Sequence, residues 1–545
     1  MAVADLPPRF QAREAGILGR WRPRSSVHEL PLSERVPGTS SPVRALPRRP
    51  AGCFTQGSRV AAAFGQKLLE VRSSRTRRRA GLRSVRAPHP VGMTQATDQM
   101  NDLVSMIRRM NENEQKRALV VGMGISGMAT ASRLRRAGWT PVIVERAPAR
   151  RMGGYFVALF GAGLVAARRL GVLEHLHDRK SLIRGVDIDR KGRQRPGISY
   201  TEMPGEPWLL LRSDVERAAF AVLADQAEVR YSTVPTAIAQ DADGVDVTLR
   251  NTATDTCTTE RFDLVVGADG IRSTVRSLVF GPHEQHIERM GYMIAAFEYS
   301  GTPLGLTPGL GATLLEPDRS MWVYAFADHD PTILLSYRTD DVDAELSRPV
   351  AESVRAAFGE GRPRTLEDVL DALEASDTVL FDSAEQVRMT TWHKGRVVLL
   401  GDSAWCVTLY AGMGVSAALA GADLLGTLLE RQPNDLGSAL TAWERGLRPY
   451  ISYYQVNAFR DRGFFVVDNR LQLIVRRVMP ALGRTRLGRR LIDRMFHVDG
   501  VVKYKSADIL KEVLGDPPHR YEEPNLARSV RKPPTQGGTY PGSRG

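Results

Sequence analysis

The sequence has 545 residues, 42% of them hydrophobic, which is too long for one compact core and predicts two or three substructures. Its net charge of +14 is concentrated at the start, because residues 1–92 contain 18 Lys and Arg against 5 Asp and Glu. The remainder is nearly neutral, which excludes a nucleic-acid-binding surface spread over the folded part.

Cysteine usage and hydropathy narrow the class of protein further. Cys53, Cys257 and Cys406 have neither the spacing of a metal site nor that of a disulfide framework, which is typical of a reducing compartment. The sequence contains no run of about 18 uninterrupted apolar residues, so no transmembrane helix is predicted. We expect a cytoplasmic protein without a metal site.

Residues 1–112 form a basic extension that we expect to be disordered, because it is rich in Arg, Pro and Ser and has no sustained apolar period. Three origins remain open: a transit-like or regulatory arm, a nucleic-acid-binding tail, and translated sequence upstream of a start at Met93, Met100 or Met106. At the other end, residues 516–545 form a Pro/Gly-rich tail that we expect to be flexible.

The first regular pattern after the extension is a βαβ unit. RALVVG at 117–122 and PVIVER at 141–146 are strand-like. Between them the pattern predicts a helix from Gly127 to Ala137, with Gly138 as its C-terminal stop.

The turn between the first strand and this helix has the sequence of a dinucleotide-binding loop. Gly122, Gly124 and Gly127 match G-x-G-x-x-G, in which backbone N–H groups face a pyrophosphate. Glu145 closes the second strand, where a carboxylate can accept hydrogen bonds from a ribose. The alternative is a glycine-rich turn that only ends a strand, with a surface charge at Glu145.

The later segments predict a second sheet, a return to the first one and a helical end. Residues 185–210 and 289–340 are rich in aromatic and alternating patterns, which favours an antiparallel sheet. GRVVLLGD at 395–402 is a buried strand again, followed by a helix of small residues over 414–430. Apolar residues recur at helical spacing over 436–514.

Two carboxylates stand at predicted strand ends. Asp269 follows the strand in DLVVGADGIRSTVR, and Asp402 follows the strand in GRVVLLGDSAWCVTLYAGMG. Such positions face the ligand in an open α/β sheet.

Together with the glycine loop, these motifs resemble the FAD-dependent aromatic hydroxylase family, the single-component flavoprotein monooxygenases of the para-hydroxybenzoate hydroxylase type. The resemblance runs from about Arg117 to Leu428. It implies an α/β protein with a Rossmann-like, three-layer FAD-binding domain, an inserted antiparallel-sheet substrate domain and a helical C-terminal region. The predicted boundaries are 113–184, 211–288 and 380–435 for the FAD-binding domain, 185–210 and 289–379 for the substrate domain, and 436–515 for the C-terminal helices.

The resemblance also implies roles for individual residues. The glycine loop and Glu145 would hold the ADP half of FAD, Arg212 would reach the pyrophosphate and ribityl region, and Asp402 would bind the ribityl chain. Asp269 and Gly270, with Ser273 and Arg276, match the family's Asp-Gly motif, which serves FAD and indirectly the nicotinamide cofactor. The helix after the Gly412-Met413-Gly414 turn would direct its positive end at flavin N1 and C2=O. The predicted cofactor-binding set is Gly122, Gly124, Ser126, Gly127, Glu145, Arg146, Arg151, Arg212, Asp269, Gly270, Asp402, Gly412 and Gly414.

Two positions depart from the family pattern of Gly-Asp-Ala-Ala-His followed by Pro. Trp405 stands where His is usual, and Leu409 stands where Pro is usual. In the family this loop lies beside the flavin face where oxygen reacts. The departure at Leu409 therefore predicts a shorter lifetime for the flavin hydroperoxide.

The reaction implied is hydroxylation or epoxidation of a hydrophobic, aromatic or polyketide-like small molecule through a flavin C4a-hydroperoxide. Non-covalent FAD would be the cofactor, NADPH or NADH a transient co-substrate, and O2 the oxidant. The chemistry belongs to the cofactor, so no side chain is named as catalytic. Two alternatives remain open. The first is another flavoenzyme, either an FAD-dependent reductase or dehydrogenase or a flavin halogenase, the halogenase being disfavoured because the sequence has no W-x-W-x-I-P stretch. The second is a catalytically silent flavin-binding protein.

For the aromatic candidates and the C-terminal arginines, the sequence leaves more than one arrangement open. Alternation places Trp322, Tyr324 and Phe326 on one face of a strand, but the sequence does not say which face lines the pocket. The Arg-rich stretch 473–496 is expected to cap the substrate domain with a solvated basic face, the alternative being contact with a membrane or a partner. The aromatic candidates for the wall are Phe297, Tyr299, Trp322, Tyr324, Phe326 and Tyr337.

Overall fold

The computed structural model describes residues 116–150, 153–197, 205–482, 485–486, 490 and 498–515. The predicted basic extension up to residue 112, the predicted tail 516–545 and the candidate Arg151 lie outside these residues. Among the described helices, none combines the length and the apolar character that crossing a membrane requires.

The described strands belong to one parallel-type sheet, one large antiparallel-type sheet and two small sheets. In chain order they are β1 (Arg117–Val121), β2 (Thr140–Val144), β3 (Phe156–Leu159), β4 (Val186–Ile188), β5 (Gln194–Pro196), β6 (Trp208–Leu211), β7 (Glu228–Arg230), β8 (Thr233–Gln240), β9 (Val245–Asn251), β10 (Thr256–Phe262), β11 (Leu264–Gly267), β12 (Ile287–Glu298), β13 (Ala312–Glu316), β14 (Arg319–Tyr324), β15 (Thr332–Arg338), β16 (Leu380–Val387), β17 (His393–Lys394) and β18 (Val397–Leu399).

The described helices fall between the strands and, after the last strand, follow one another along the chain. In chain order they are α1 (Ile125–Arg136), α2 (Gly161–Leu170), α3 (Arg212–Leu223), α4 (Thr274–Val279), α5 (Val342–Leu346), α6 (Val350–Phe358), α7 (Arg364–Ala375), α8 (Asp402–Trp405), α9 (Gly414–Arg431), α10 (Leu436–Phe465), α11 (Arg470–Leu482), α12 (Val498–Lys505) and α13 (Ile509–Leu514).

The first sheet has the order β17-β18-β11-β1-β2-β7 and is parallel except at β17. Its central strands are buried along almost their whole length, as expected when both faces of a parallel sheet are covered. The β1-α1-β2 unit confirms the predicted βαβ arrangement. Gly138 follows α1 with φ +84°, a conformation that glycine adopts at low cost after a helix. The strands β8, β9 and β10 form a separate antiparallel sheet.

The second large sheet has the order β16-β12-β15-β14-β13-β4-β5 and is antiparallel except where β13 pairs with β4. Helices α6 and α7 cover one of its faces with apolar side chains such as Val354 and Leu370, which pack in a core with Leu335 from β15. The opposite face carries Trp322, Tyr324 and Leu334 in a smaller apolar cluster. This fold confirms the predicted class of an α/β protein with an antiparallel-sheet second region and helices at the C-terminal end.

Strand pairing does not follow every predicted domain boundary. Residues 380–387 form β16, which pairs with β12 in the seven-stranded sheet, although the predicted boundary assigns them to the cofactor-binding region. Residues 208–211 form β6, which pairs with β3 and not with the seven-stranded sheet. The division into domains stays a prediction.

Candidate active site

One cavity of about 1630 Å³ runs along the carboxyl ends of β1, β2 and β11 and continues to the seven-stranded sheet. A usual small-molecule pocket has roughly 300–1,000 Å³, so this cavity has room for a dinucleotide together with a substrate. Most of the residues predicted to bind the cofactor line it: Gly122, Gly124, Ser126, Glu145, Arg146, Arg212, Asp269, Gly270, Asp402, Gly412 and Gly414.

The three glycines of the first loop have different surroundings. Gly122 has φ +103°, and a Cβ there would lie 2.5 Å from the carbonyl oxygen of Ala268. A Cβ at Gly127 would lie 1.9 Å from the carbonyl oxygen of Gly122, so Gly127 lets α1 pack against the loop and does not line the cavity. A Cβ at Gly124 would have no described atom within 4 Å and would project into the open cavity.

Glu145 is held at the edge of the glycine loop by two backbone donors. Its Oε2 accepts a hydrogen bond of 2.8 Å from the N–H of Met123, and its Oε1 accepts one of 2.8 Å from the N–H of Ala147. Both contacts orient the carboxylate at the end of β2. The neighbouring Arg146 also lines the cavity.

Arg212 and Asp402 come from distant parts of the chain and meet in the same part of the cavity. Arg212 begins α3, where its N–H donates to the carbonyl of Tyr155 at 2.9 Å and its guanidinium lies 2.7 Å from Glu216. Asp402 is exposed into the cavity but surrounded by protein. This enclosure raises the pKa of Asp402, while the positive charge of Arg212 opposes the increase.

Asp269 connects the end of β11 to α4. Its carboxylate accepts hydrogen bonds from the Ser273 hydroxyl at 2.6 Å and from the N–H groups of Thr274 and Val275 at 2.6 and 3.1 Å. Desolvation by the surrounding protein raises the pKa of Asp269 despite these donors. Its neighbour Gly270 has φ +79°, as the turn at this point requires.

Ser273 and Arg276 are buried behind this segment and do not line the cavity. The guanidinium of Arg276 donates to the carbonyl oxygen of Ser403 at 2.9 Å. Arg276 therefore joins the Asp-Gly segment to α8, which begins at Asp402. Its position indicates a structural role in holding these two cavity-lining segments together.

The segment before α9 forms a tight loop at the cavity. Thr408 has φ +65°, Gly412 has φ +65°, and the hydroxyl of Thr408 is buried without a hydrogen-bond partner in the described structure. Helix α9 then begins at Gly414, where an added Cβ would meet no described atom within 4 Å. The first turn of α9 carries no acidic residue, so its positive end is uncompensated where it meets the cavity.

The two departures from the family pattern have different environments. Trp405 is buried and does not line the cavity; its ring centroid lies 4.8 Å from that of Trp392 and 5.7 Å from that of Trp443. It therefore contributes to the core, with Gly421 leaving room for its ring. Leu409 does line the cavity and packs against the cluster that contains Trp322 and Tyr324.

The aromatic candidates separate onto the two sides of the seven-stranded sheet. Trp322 and Tyr324 line the cavity, whereas Phe297, Tyr299 and Tyr337 lie in the core beneath α6 and α7. Phe326 is buried and does not line the cavity, although alternation places it on the same face as Trp322.

Several cavity residues were missed by the sequence reasoning. The ring of Phe156 stacks on Tyr324 at a centroid distance of 3.9 Å, and Phe464 contacts Trp322 at 5.4 Å. Arg476 lies over the rings of Trp322 and Phe464, at 5.2 and 4.5 Å.

Arg476 and Lys505 bring two positive charges to the cavity from the C-terminal helices. The Nε and Nη2 atoms of Arg476 are buried without a hydrogen-bond partner in the described structure, and this burial lowers the pKa of Arg476 to about 10. Lys505 donates a hydrogen bond to the carbonyl oxygen of Ala411 at 2.9 Å. No local sequence pattern marks either residue.

A family model described as "FAD binding domain" matches residues 115–435, which is more than half of the chain. The chain belongs to this family. The match includes the glycine loop, Asp269, Asp402 and the start of α9, and it confirms the predicted aromatic-hydroxylase type of flavoprotein.

Two relatives and one solved structure are similar to this chain over most of their own length. A flavin-dependent monooxygenase from an unknown prokaryotic organism is 28% identical over 362 residues, covering 64% of this chain and 90% of the relative. An uncharacterized protein of Mycobacterium tuberculosis is 32% identical over 340 residues, covering 59% and 86%. The crystal structure of the tetracycline destructase Tet(51) has a TM-score of 0.58 at 22% identity, covering 72% and 99%, which shows a shared fold. This protein is an FAD-dependent monooxygenase.

Proposed function

We propose that this monooxygenase is a single-component enzyme that uses NADH or NADPH and O2 to hydroxylate or epoxidise a hydrophobic aromatic or polyketide-like molecule. The observation that carries the proposal is the continuous cavity, which joins a dinucleotide-binding loop to the aromatic face of a second sheet. Bound FAD would take two electrons from the nicotinamide cofactor and activate O2, one atom of which passes to an electron-rich carbon of the substrate.

The residues present suit FAD. The open space at Gly124 and Gly414 allows close approach of a ligand to the backbone, and the buried Thr408 hydroxyl lacks a partner in the described structure. In our proposal Gly122 and Gly124 receive the pyrophosphate and Glu145 binds the adenosine ribose.

At the other half of the cofactor, Arg212 and Asp402 would hold the pyrophosphate and ribityl region. The start of α9 would stabilise the negative charge of the reduced flavin with its free N–H groups and its dipole. Asp269 and Gly270 would keep the segment after β11 in place beside the cofactor. These roles remain proposals for the individual residues.

The second sheet would hold the substrate. Phe156, Trp322 and Tyr324 offer aromatic surface, and Leu409 and Phe464 complete an apolar wall. Such a wall orients a flat hydrophobic molecule and excludes water, which protects the activated oxygen from wasteful reactions.

The test is turnover by the purified protein with FAD, NADH or NADPH, and a panel of aromatic and polyketide compounds. A substrate should accelerate oxidation of the nicotinamide and gain one oxygen atom that carries label from ¹⁸O₂ and not from labelled water. Stimulated oxidation with reduction of the compound would favour the reductase. Bound FAD that no nicotinamide reduces would favour a silent flavin-binding protein.

A further inference from the structure

Helix α11 (Arg470–Leu482) presents an apolar face to solvent. Leu471, Ile474 and Val475 are 69%, 54% and 40% exposed. Their spacing of three and four residues places them on one side of the helix. Single exposed apolar residues are common on protein surfaces, but three on one helix face indicate a contact surface.

This face borders the part of the cavity at the seven-stranded sheet, the substrate half, which rests on the proposed function. Leu471 and Val475 line the cavity, together with Phe464 and Phe465 from the end of α10, so part of their exposed surface faces the cavity, whereas Ile474 does not line it. Arg476, the residue of α11 that follows Val475, lies over the ring of Trp322. The same helix therefore forms part of the cavity wall and part of the outer surface.

The chain around this face is strongly basic. Residues 470–494 contain eight Arg and one acidic residue, Asp493. Arg470, Arg486 and Arg490 are exposed and make no ion pair within the described residues. An apolar helix face within a segment of the sequence that is rich in arginine has the composition that suits an anionic lipid surface, where apolar side chains enter the acyl boundary and guanidinium groups contact phosphates.

We propose that α11 docks on an anionic lipid surface and sets the substrate half of the cavity against it. A second copy of this chain is disfavoured as the occupant because the two arginine-rich segments would bring like charges together. A nucleic acid would use the arginines but would leave the three aliphatic side chains in water. The docked arrangement gives a hydrophobic substrate a path from the lipid to the cavity without crossing bulk water.

The first experiment measures sedimentation of the full-length protein with vesicles of neutral phosphatidylcholine, alone or with about a third phosphatidylserine. We expect binding to the anionic vesicles only. Leu471→Glu/Ile474→Glu should lower the bound fraction at least about tenfold, because two charges would have to enter the acyl boundary. The matched control is Leu278→Glu/Leu346→Glu, which changes two leucines that are each 39% exposed on α4 and α5.

The control also accounts for the basic residues 1–92, which would attract anionic vesicles by themselves. Both double variants retain that segment and add the same negative charge. Equal loss of binding in the two variants would overturn the proposal, since it would show general charge attraction. Failure of the unmodified protein to bind either vesicle would also overturn it.

A second experiment detects insertion directly. Ile474→Trp should add fluorescence that brominated lipids quench in anionic vesicles, after subtraction of the signal of the unmodified protein, whereas Leu278→Trp should not. Unquenched fluorescence from Ile474→Trp on bound protein would refute docking through α11. A dimer that dissociates on Leu471→Glu/Ile474→Glu, without vesicle binding by the unmodified protein, would identify a second copy as the occupant.

Discussion

The ammonium group of Lys505 donates a hydrogen bond of 2.9 Å to the main-chain carbonyl oxygen of Ala411. Lys505 ends α12, far along the chain from the loop that precedes α9, and it is buried. Asp461 on α10 lies 3.2 Å from the same ammonium group. The C-terminal helices therefore fix the loop that, in our proposal, faces the flavin.

Replacing this lysine tests whether the contact supports cofactor binding. Lys505→Met should destabilise the protein by about 1–3 kcal/mol, because it leaves a carbonyl and a carboxylate without their charged donor. It should also weaken FAD binding and make the reduction potential of bound FAD more negative, since a positive charge at the cavity is lost. Thermal unfolding, FAD titration and spectroelectrochemistry measure these changes. Lys503→Met, at an exposed position on the same helix, should change none of them.

The two glycines Gly124 and Gly127 should separate cofactor binding from folding. Gly124→Ala should leave the unfolding temperature of FAD-free protein unchanged and weaken FAD binding by roughly tenfold or more, because its Cβ projects into the cavity. Gly127→Ala should instead cost about 1–3 kcal/mol of stability, because its Cβ would overlap the Gly122 carbonyl. The same outcome for both variants in FAD-free unfolding and FAD titration would contradict this division.

The native Arg476 side chain should lower the free energy of unfolding of the protein. Its guanidinium is enclosed with two nitrogen atoms unpaired in the described structure, so Arg476→Met should raise the free energy of unfolding by about 1–3 kcal/mol. The contrasting variant is Arg462→Met. Arg462 also lies over an aromatic ring, that of Tyr292, but its guanidinium is hydrogen-bonded to Asp468 at 2.9 Å, so its loss should destabilise. Chemical denaturation of both variants checks the prediction; destabilisation by Arg476→Met would refute it.

The sequence was most informative where local backbone geometry and function impose the same residue type. Gly122 must adopt a positive φ next to Ala268, and Asp269 and Asp402 stand at strand ends that the parallel sheet brings to one edge. These constraints are local, so a short motif records them. The part of the cavity that, in our proposal, holds the cofactor was therefore predictable.

The part of the cavity at the seven-stranded sheet was less predictable because its lining depends on long-range packing. Alternation placed Trp322 and Tyr324 on one face, but only the packing of α6 and α7 on the other face determines which side is open. Arg476 and Lys505 reach the cavity from helices beyond the family match, whose apolar periodicity does not specify where they pack. Trp405 was expected near the flavin loop, and packing against Trp392 and Trp443 turns its ring into the core.

Acid should destabilise the contact between α10 and the β17 region through Glu444. Burial opposes ionisation of the Glu444 carboxylate and by itself would raise its pKa. The carboxylate accepts hydrogen bonds from His393 at 2.8 Å and from the Trp392 N–H at 2.9 Å, and it is also bonded to Arg448. These contacts outweigh the effect of burial and lower the pKa of Glu444 to about 2. The pKa of Glu444 is higher in the unfolded chain. Its contribution to the free energy of unfolding is therefore present above about pH 4.5 and is lost as the pH falls towards 2.

Glu444→Gln should remove the part of the acid-induced loss of unfolding free energy that is due to Glu444, which is of the order of 2–3 kcal/mol. The measurement is the free energy of unfolding in urea between about pH 5 and pH 3, compared with unmodified protein. Glu374→Gln, at an exposed position, should leave the pH dependence unchanged. An unaltered slope in Glu444→Gln would show that other groups dominate the acid response.

Leu409→Pro should reduce the fraction of NADH or NADPH oxidation that ends as hydrogen peroxide. Leu409 is the first residue of a short 3₁₀ helix, a position at which proline is tolerated. The substitution should therefore stiffen the loop without breaking it and shield the site where oxygen reacts. Peroxide formed per nicotinamide oxidised, measured with a coupled substrate, gives the result. Leu409→Ala should raise the fraction of hydrogen peroxide, because loss of the side chain admits water to the cavity. If Leu409→Pro also raises the peroxide fraction, the leucine side chain, and not the rigidity of the loop, protects the activated oxygen.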